Sequence, residues 1–265
     1  MNGAQRIVCL TEETTETLYL LGEEARIVGI SGYTVRPERA RKEKPKISAF
    51  TSAKIDAILA LEPDLVIGFS DLQADIAAQL IRSGVNVLIT NQRSVEEILQ
   101  TIYTVGALAG VPDKAQALVA QLQQGIDEVS TAAASLPRKP RVYFEEWDEP
   151  LISGIRWVAE LIVLAGGEEC FPELKQHKGA KLRIIADPLE VLRRAPDIII
   201  GSWCGKKFRP EQLAARSGWE AIPAVRDGQL FEIKSCDILQ PGPAALSDGL
   251  RQIASIIRSW AENRA

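Results

Sequence analysis

The chain has 265 residues, 46% hydrophobic and 25% charged, with a formal net charge of −4. That balance excludes a disordered chain and is long enough for two domains. The acidic charge argues against a general nucleic-acid binder, and no apolar run is long enough to insert into a membrane.

In chain order, Met1 to Arg6 lead straight into the strand-like Ile7-Val8-Cys9-Leu10, with no basic stretch and long apolar segment before it. As written, the sequence reads as cytoplasmic, and as periplasmic if a leader has been removed. Leu18-Tyr19-Leu20-Leu21-Gly22 follows, and then a basic run from Arg36 to Lys46, expected as a solvated loop. Ile55 to Leu59 has helical character and Glu62-Pro63-Asp64 stops it before the strand Leu65-Val66-Ile67-Gly68. Val85 to Ile89 adds a further strand after Gly84. From Asp113 to Ser135, Ala115, Leu118, Val119, Leu122, Ile126 and Val129 recur at three- and four-residue spacing, which predicts one long helix of roughly 35 Å. The last helix is expected over about Ala244 to Glu262. Cys9, Cys170, Cys204 and Cys236 are far apart with no CxxC pair, and read as buried reduced thiols.

The two halves echo each other. Glu62-Pro63-Asp64-Leu65-Val66-Ile67-Gly68 matches Ala195-Pro196-Asp197-Ile198-Ile199-Ile200-Gly201, and Arg6-Ile7-Val8 matches Arg141-Val142-Tyr143, at an offset near 135 residues. Unalternated apolar strand cores indicate strands covered on both faces, as in a parallel sheet. The expected fold is α/β, with two Rossmann-like lobes joined by one long helix and a ligand cleft between them. The lobes are expected over 1–111 and 138–265, with the connecting helix over 112–137.

Ligands of open α/β sheets sit beyond the carboxyl ends of the strands. The segments there contain Tyr33, Phe69, Trp147 and Trp203, aromatic residues less readily explained as core, and they form the candidate binding set. Arg36, just after Tyr33, is the candidate for a ligand phosphate or carboxylate. Glu146 is placed to hydrogen-bond ligand amides, and Lys206 to pair with the carboxylates around it. Enzyme motifs fail: no GxGxxG follows a strand, no GxSxG elbow exists, and the single histidine, His177, cannot build a His-rich metal site. No catalytic residue, metal site or catalytic cofactor is therefore assigned. An α/β hydrolase or glycosidase using Glu145 or Glu146 is the alternative from a different class.

These pieces resemble the helical-backbone (class III) substrate-binding proteins of ABC importers, in particular their vitamin B12-binding branch. The carrying segments are Leu61-Glu62-Pro63-Asp64-Leu65-Val66, Pro150-Leu151-Ile152-Ser153-Gly154, Leu164-Ala165-Gly166-Gly167, Gly218-Trp219-Glu220-Ala221-Ile222-Pro223 and Pro241-Gly242-Pro243, across nearly the whole chain. The resemblance implies a corrinoid as ligand, with a ferric siderophore or haem as the alternative. It places Tyr33 and Phe50 among the aromatic residues that line a corrin, while Arg36 and Leu151 stand where that branch has aromatics. It also implies one permease-docking glutamate in each lobe; the positions here are Asp56 and Leu189, with Glu190 beside the latter. That departure leaves a cytoplasmic corrinoid carrier or sensor as the reading beside an importer component.

Overall fold

Successive residues of the opening strand feed two separate hydrophobic layers. Ile7 and Cys9 pack with Leu18, Ile27 and Val105, whereas Val8 packs with Ile58, Val66, Ile76 and Leu80, as does Leu10. A strand sandwiched between two helical layers needs apolar side chains on both faces, and for that reason the sequence here shows no polar alternation. The computed structural model describes residues 3–264. The chain divides into two compact units, Met1–Gln92 with Glu96–Leu122, and Arg93–Val95 with Gln123–Ala265.

The first unit runs β1 (Ile7–Cys9), α1 (Glu12–Leu20), β2 (Ile27–Ser31), α2 (Ala40–Glu43), β3 (Lys46–Ser48), α3 (Ile55–Leu59), β4 (Leu65–Phe69), α4 (Ala74–Arg82) and β5 (Val87–Thr90), followed by α5 (Val95–Leu108). Its sheet has the order β3-β2-β1-β4-β5 with every pair parallel. The connections turn in opposite directions on either side of β1, so the switch point of the sheet lies between β1 and β4. The basic run expected as a loop contains the short helix α2 and leads into the edge strand β3 at Lys46.

Helix α6 (Pro112–Ala133) begins at the proline that suits a first helical turn, and the unit boundary falls within it. The second unit then runs β6 (Arg141–Asp148), β7 (Leu151–Ser153), α7 (Arg156–Leu164), β8 (Glu168–Glu169), α8 (Leu189–Arg194), β9 (Ile198–Gly201), α9 (Pro210–Ala214), α10 (Pro223–Arg226), β10 (Leu230–Glu232), α11 (Ser235–Ile238) and α12 (Leu250–Glu262). Its sheet has the order β10-β9-β6-β7, and β8 also pairs with β6. All pairs are parallel except β6 with β7. The antiparallel β7 departs from the expected strand–helix alternation: Asp148 pairs with Leu151 across Glu149-Pro150, a two-residue hairpin connection. Tyr143 and Ile199 face a cluster with Phe171, Phe208 and Trp219. Val142, whose side chain lies near Gly167, faces the layer holding Ile162 and Ile257. Among the described residues no helix is long and apolar enough to cross a membrane. None of the four cysteines is in a disulfide; Cys9 and Cys170 are buried, but Cys204 is exposed and Cys236 half-buried, so the expectation of burial holds for only two of them. Burial pushes the Cys9 thiol up to about 12.

The sequence echo is an echo of structure. The Asp64 carboxylate accepts the backbone N–H groups of Gln5 (2.6 Å) and Arg6 (3.0 Å), and the Arg6 guanidinium donates to the carbonyls of Leu61 and Glu62. In the second unit Asp197 accepts the N–H of Arg141 (2.9 Å), and the Arg141 guanidinium donates to the Arg194 carbonyl (3.1 Å). The residue before each Pro-Asp is left-handed, Glu62 at φ 46° and Ala195 at φ 45°. A helix that must end and reverse into a parallel strand does so here twice, with one left-handed residue, a proline that cannot continue the helix, and an aspartate that anchors the neighbouring strand.

Candidate functional site

At the carboxyl ends of the first unit's strands, the loop after β2 carries Tyr33. The residue is 68% exposed, a large aromatic side chain that the core does not use. The backbone beneath it is held closely. Ser31 Oγ accepts the Tyr33 N–H, Glu12 Oε2 accepts the Val35 N–H at 3.0 Å, and Arg41 Nη1 donates to the carbonyls of Gly32 and Thr34, both at 2.7 Å. Arg36, expected to meet a ligand anion, donates from Nε to Glu16 at 2.9 Å. With Glu16, Tyr19 and Arg39 it lines a cavity of about 450 Å³ beside the loop.

Phe50 follows β3 and is half-buried. Phe69 ends β4 and is 9% exposed, so it is mostly a core side chain. Between them stands a residue that the sequence reading missed. Gln73 is fully buried, accepts the Phe69 N–H at 2.9 Å and donates to the carbonyls of Phe50 (2.9 Å) and Leu10 (3.3 Å). One amide thus ties together the ends of β1, β3 and β4. Gly68 is a glycine for the same reason, since a Cβ there would run into Gln73 Oε1. Next to it Ser70 takes φ 65°, a left-handed value unfavourable for a non-glycine residue, which turns the chain out of β4 and leaves Leu72 exposed.

In the second unit, Lys206 donates to Asp148 Oδ2 at 2.7 Å. Its ammonium lies 4.6 Å from the Trp147 ring centre and 4.9 Å from that of Trp203. The structure therefore brings two expected site residues, Trp147 and Trp203, around the ammonium of a third, Lys206, an arrangement favoured by the negative faces of the rings. Trp203 itself departs from the expectation that strand-end aromatics lie outside the core. It is 3% exposed, packs edge-on against Phe208 and donates its indole N–H to Glu145 at 3.0 Å. Trp147 is the half-buried member of the pair.

The carboxylates that offered an acid/base reading are engaged. Glu145 is fully buried and accepts from both terminal nitrogens of Arg216 (2.6 and 2.9 Å), from Trp203 and from the Tyr143 hydroxyl. Glu146 forms a two-pronged pair with Arg183 (2.7 and 2.9 Å), whose guanidinium also donates to the Ser153 carbonyl. A guanidinium bonded to both oxygens of a carboxylate fixes its orientation, which suits a positioning role. Of the docking positions, Asp56 is exposed in the first turn of α3. Glu190 in α8 pairs with Arg193 at 3.0 Å and Arg194 at 3.7 Å, beside the 45% exposed Leu189.

Residues 7–236 match the model of the periplasmic binding protein family. The chain belongs to that family. A vitamin B12-binding protein of Vibrio campbellii is 25% identical over 251 residues, 93% of this chain and 87% of the relative. Among solved structures, the periplasmic vitamin B12 binding protein of Vibrio cholerae superimposes with a TM-score of 0.77 at 22% identity, covering 98% of this chain and 99% of its own. The periplasmic heme-binding protein of Roseiflexus sp. RS-1 does so with a TM-score of 0.79 at 24% identity, covering 96% and 100%. The fold is thus that of periplasmic solute-binding proteins, and relatives named for different ligands are equally close. The family is named for the periplasm.

Proposed function

We propose that the protein reversibly binds a bulky macrocyclic ligand, a corrinoid in the first place, at the strand-end faces of its units, as the binding component of an ABC importer. The observation that carries this reading is Tyr33, an aromatic ring set out on a fixed backbone with no core to serve. Phe50 in the same unit and Trp147 in the other supply further aromatic surface, and stacking on a flat ligand adds about 0.5–1.5 kcal/mol for each ring beyond simple burial. For the importer partner, Asp56 is the docking carboxylate of choice, because Glu190 is already engaged by Arg193 and Arg194.

Haem is the second reading, supported by the phenol of Tyr33, whose hydroxyl makes no hydrogen bond within the described residues and whose oxygen is a chemically suitable ligand for ferric iron. Titrating the protein with cyanocobalamin, dicyanocobinamide, haemin and a ferric siderophore, while following tryptophan fluorescence and ligand absorbance, tests both. A corrinoid should quench Trp147 and bind more weakly to Tyr33→Ala than to Tyr33→Phe. Haemin should give a Soret band that Tyr33→Phe alters. Saturable binding of none of the four at micromolar concentration would sink the proposal.

A further inference from the structure

Tyr33 is only as useful to a ligand as the loop beneath it is rigid, and that loop has no regular secondary structure to stiffen it. Side chains alternate along it: Tyr33 points out, Thr34 is fully buried, and Val35 is 47% exposed. Polar side chains from outside the loop hold its backbone from beneath. Glu12, at the start of α1 and 5% exposed, takes the Val35 N–H. Arg41, on α2, spans the carbonyls of Gly32 and Thr34, the residues on either side of Tyr33. One group therefore satisfies a donor and the other two acceptors of the same short stretch. A carboxyl at the head of a helix has cheaper partners than a loop amide. Glu12 also keeps its second oxygen buried with no hydrogen bond, an unfavourable placement that its grip on the loop offsets.

We infer that Glu12 and Arg41 are positioning residues that hold the Tyr33 loop in its ligand-contacting conformation and so set the affinity of the site. The inference rests on Tyr33 touching the ligand, as proposed above. Fixing a contact loop before binding removes its ordering cost from the binding step, and a loop that is only partly in its competent conformation weakens the apparent affinity by the same fraction.

Arg41 is the safer residue to change, being half-exposed on a short helix. Wild type, Arg41→Met, Tyr33→Ala and the double variant are titrated with cyanocobalamin and with haemin, and amide hydrogen exchange is followed over residues 32–36. Arg41→Met should weaken binding about tenfold with Tyr33 present and less than twofold in the Tyr33→Ala background, because a clamp without its ring has nothing to position. Arg41→Lys, which can still donate to a carbonyl, should recover most of the loss. Exchange over 32–36 should quicken in Arg41→Met while the β1 and β4 amides stay protected. Glu12→Gln, which keeps an acceptor for the Val35 N–H, should bind more tightly than Glu12→Ala. An equal loss in both Tyr33 backgrounds, or wild-type affinity in Arg41→Met, overturns the clamp and leaves the binding reading intact. Failure of the wild type to bind either compound, or the cobinamide and ferric siderophore named above, overturns both.

Discussion

At the scale of single residues, the buried ion pair of the second unit decides what its glutamates can be. Glu145 has no exposed surface, and its charge is met by Arg216, the Trp203 indole and the Tyr143 hydroxyl. Burial, reinforced by the charge of this carboxylate, pushes the Tyr143 phenol well above its usual range. Removing one partner of such a pair leaves an uncompensated charge in the interior, a loss of roughly 3–5 kcal/mol. Arg216→Met should therefore lower the unfolding free energy by about 3 kcal/mol in urea titrations. Adding Glu145→Gln should return part of that loss, since the charge left behind is then gone. Unchanged stability in Arg216→Met would show that the pair does not hold the unit together. Trp203 explains why the sequence misleads at this scale. Its place after β9 is legible, but its role depends on a carboxylate 58 positions away that needs an indole N–H. Tyr33 has no such claimant and its exposure follows from its place after β2. Gln73 and Arg41 were illegible for a related reason: a side chain that binds backbone groups of loops outside its own element leaves no spacing pattern.

At the scale of elements, the Pro-Asp turns were the most readable feature and also the most load-specific. The residue pattern alone located both helix stops, and the shared offset showed that they were copies. The antiparallel β7 was not readable, because Leu151-Ile152-Ser153 is too short to distinguish a hairpin return from a loop. The copies should behave as copies under mutation. Asp64→Ala frees the N–H groups of Gln5 and Arg6, and Asp197→Ala frees that of Arg141 and removes its ion pair. These groups are partly solvated, so water replaces the lost acceptor in part and each change should destabilise its unit by about 1–2 kcal/mol. Urea unfolding monitored by circular dichroism would measure this. A cost at one turn and none at the other would break the equivalence drawn from the echo.

At the scale of the whole molecule, family and fold were legible because they depend on many dispersed segments, whereas ligand identity depends on a few side chains whose partners only the structure reveals. Stability against pH is likewise a property of the whole chain, and here it runs opposite to the usual carboxylate case. Burial, reinforced by Glu16 and Glu13 and opposed by the Val35 and Arg36 amides, pushes the Glu12 carboxyl up to about 8. Burial, opposed by the Phe171 amide, reinforced by Glu173 and opposed further by Arg194 and Lys175, pushes Glu169 of the second unit up to about 7. Both start from 4.5 in an exposed chain. Between those values the folded protein binds more protons than the unfolded one, so stability is full below about pH 4.5 and falls as pH rises through 7 and 8. Each group lowers it by up to about 1.4 kcal/mol per pH unit within its window. Glu23, Glu24, Glu173, Asp187 and Asp227 are held low by arginine, lysine and backbone donors and act in the opposite sense, losing their contribution only as pH falls below the ordinary carboxylate range. The melting temperature should therefore peak at mildly acidic pH and decline from about pH 5 to 8.5. Glu12→Gln, neutral throughout, should flatten that decline, and the difference between the two melting curves should vanish at the acidic end. A wild-type melting temperature that is level or rising from pH 5.5 to 8.5, measured by calorimetry at constant ionic strength, would show that Glu12 ionises without cost.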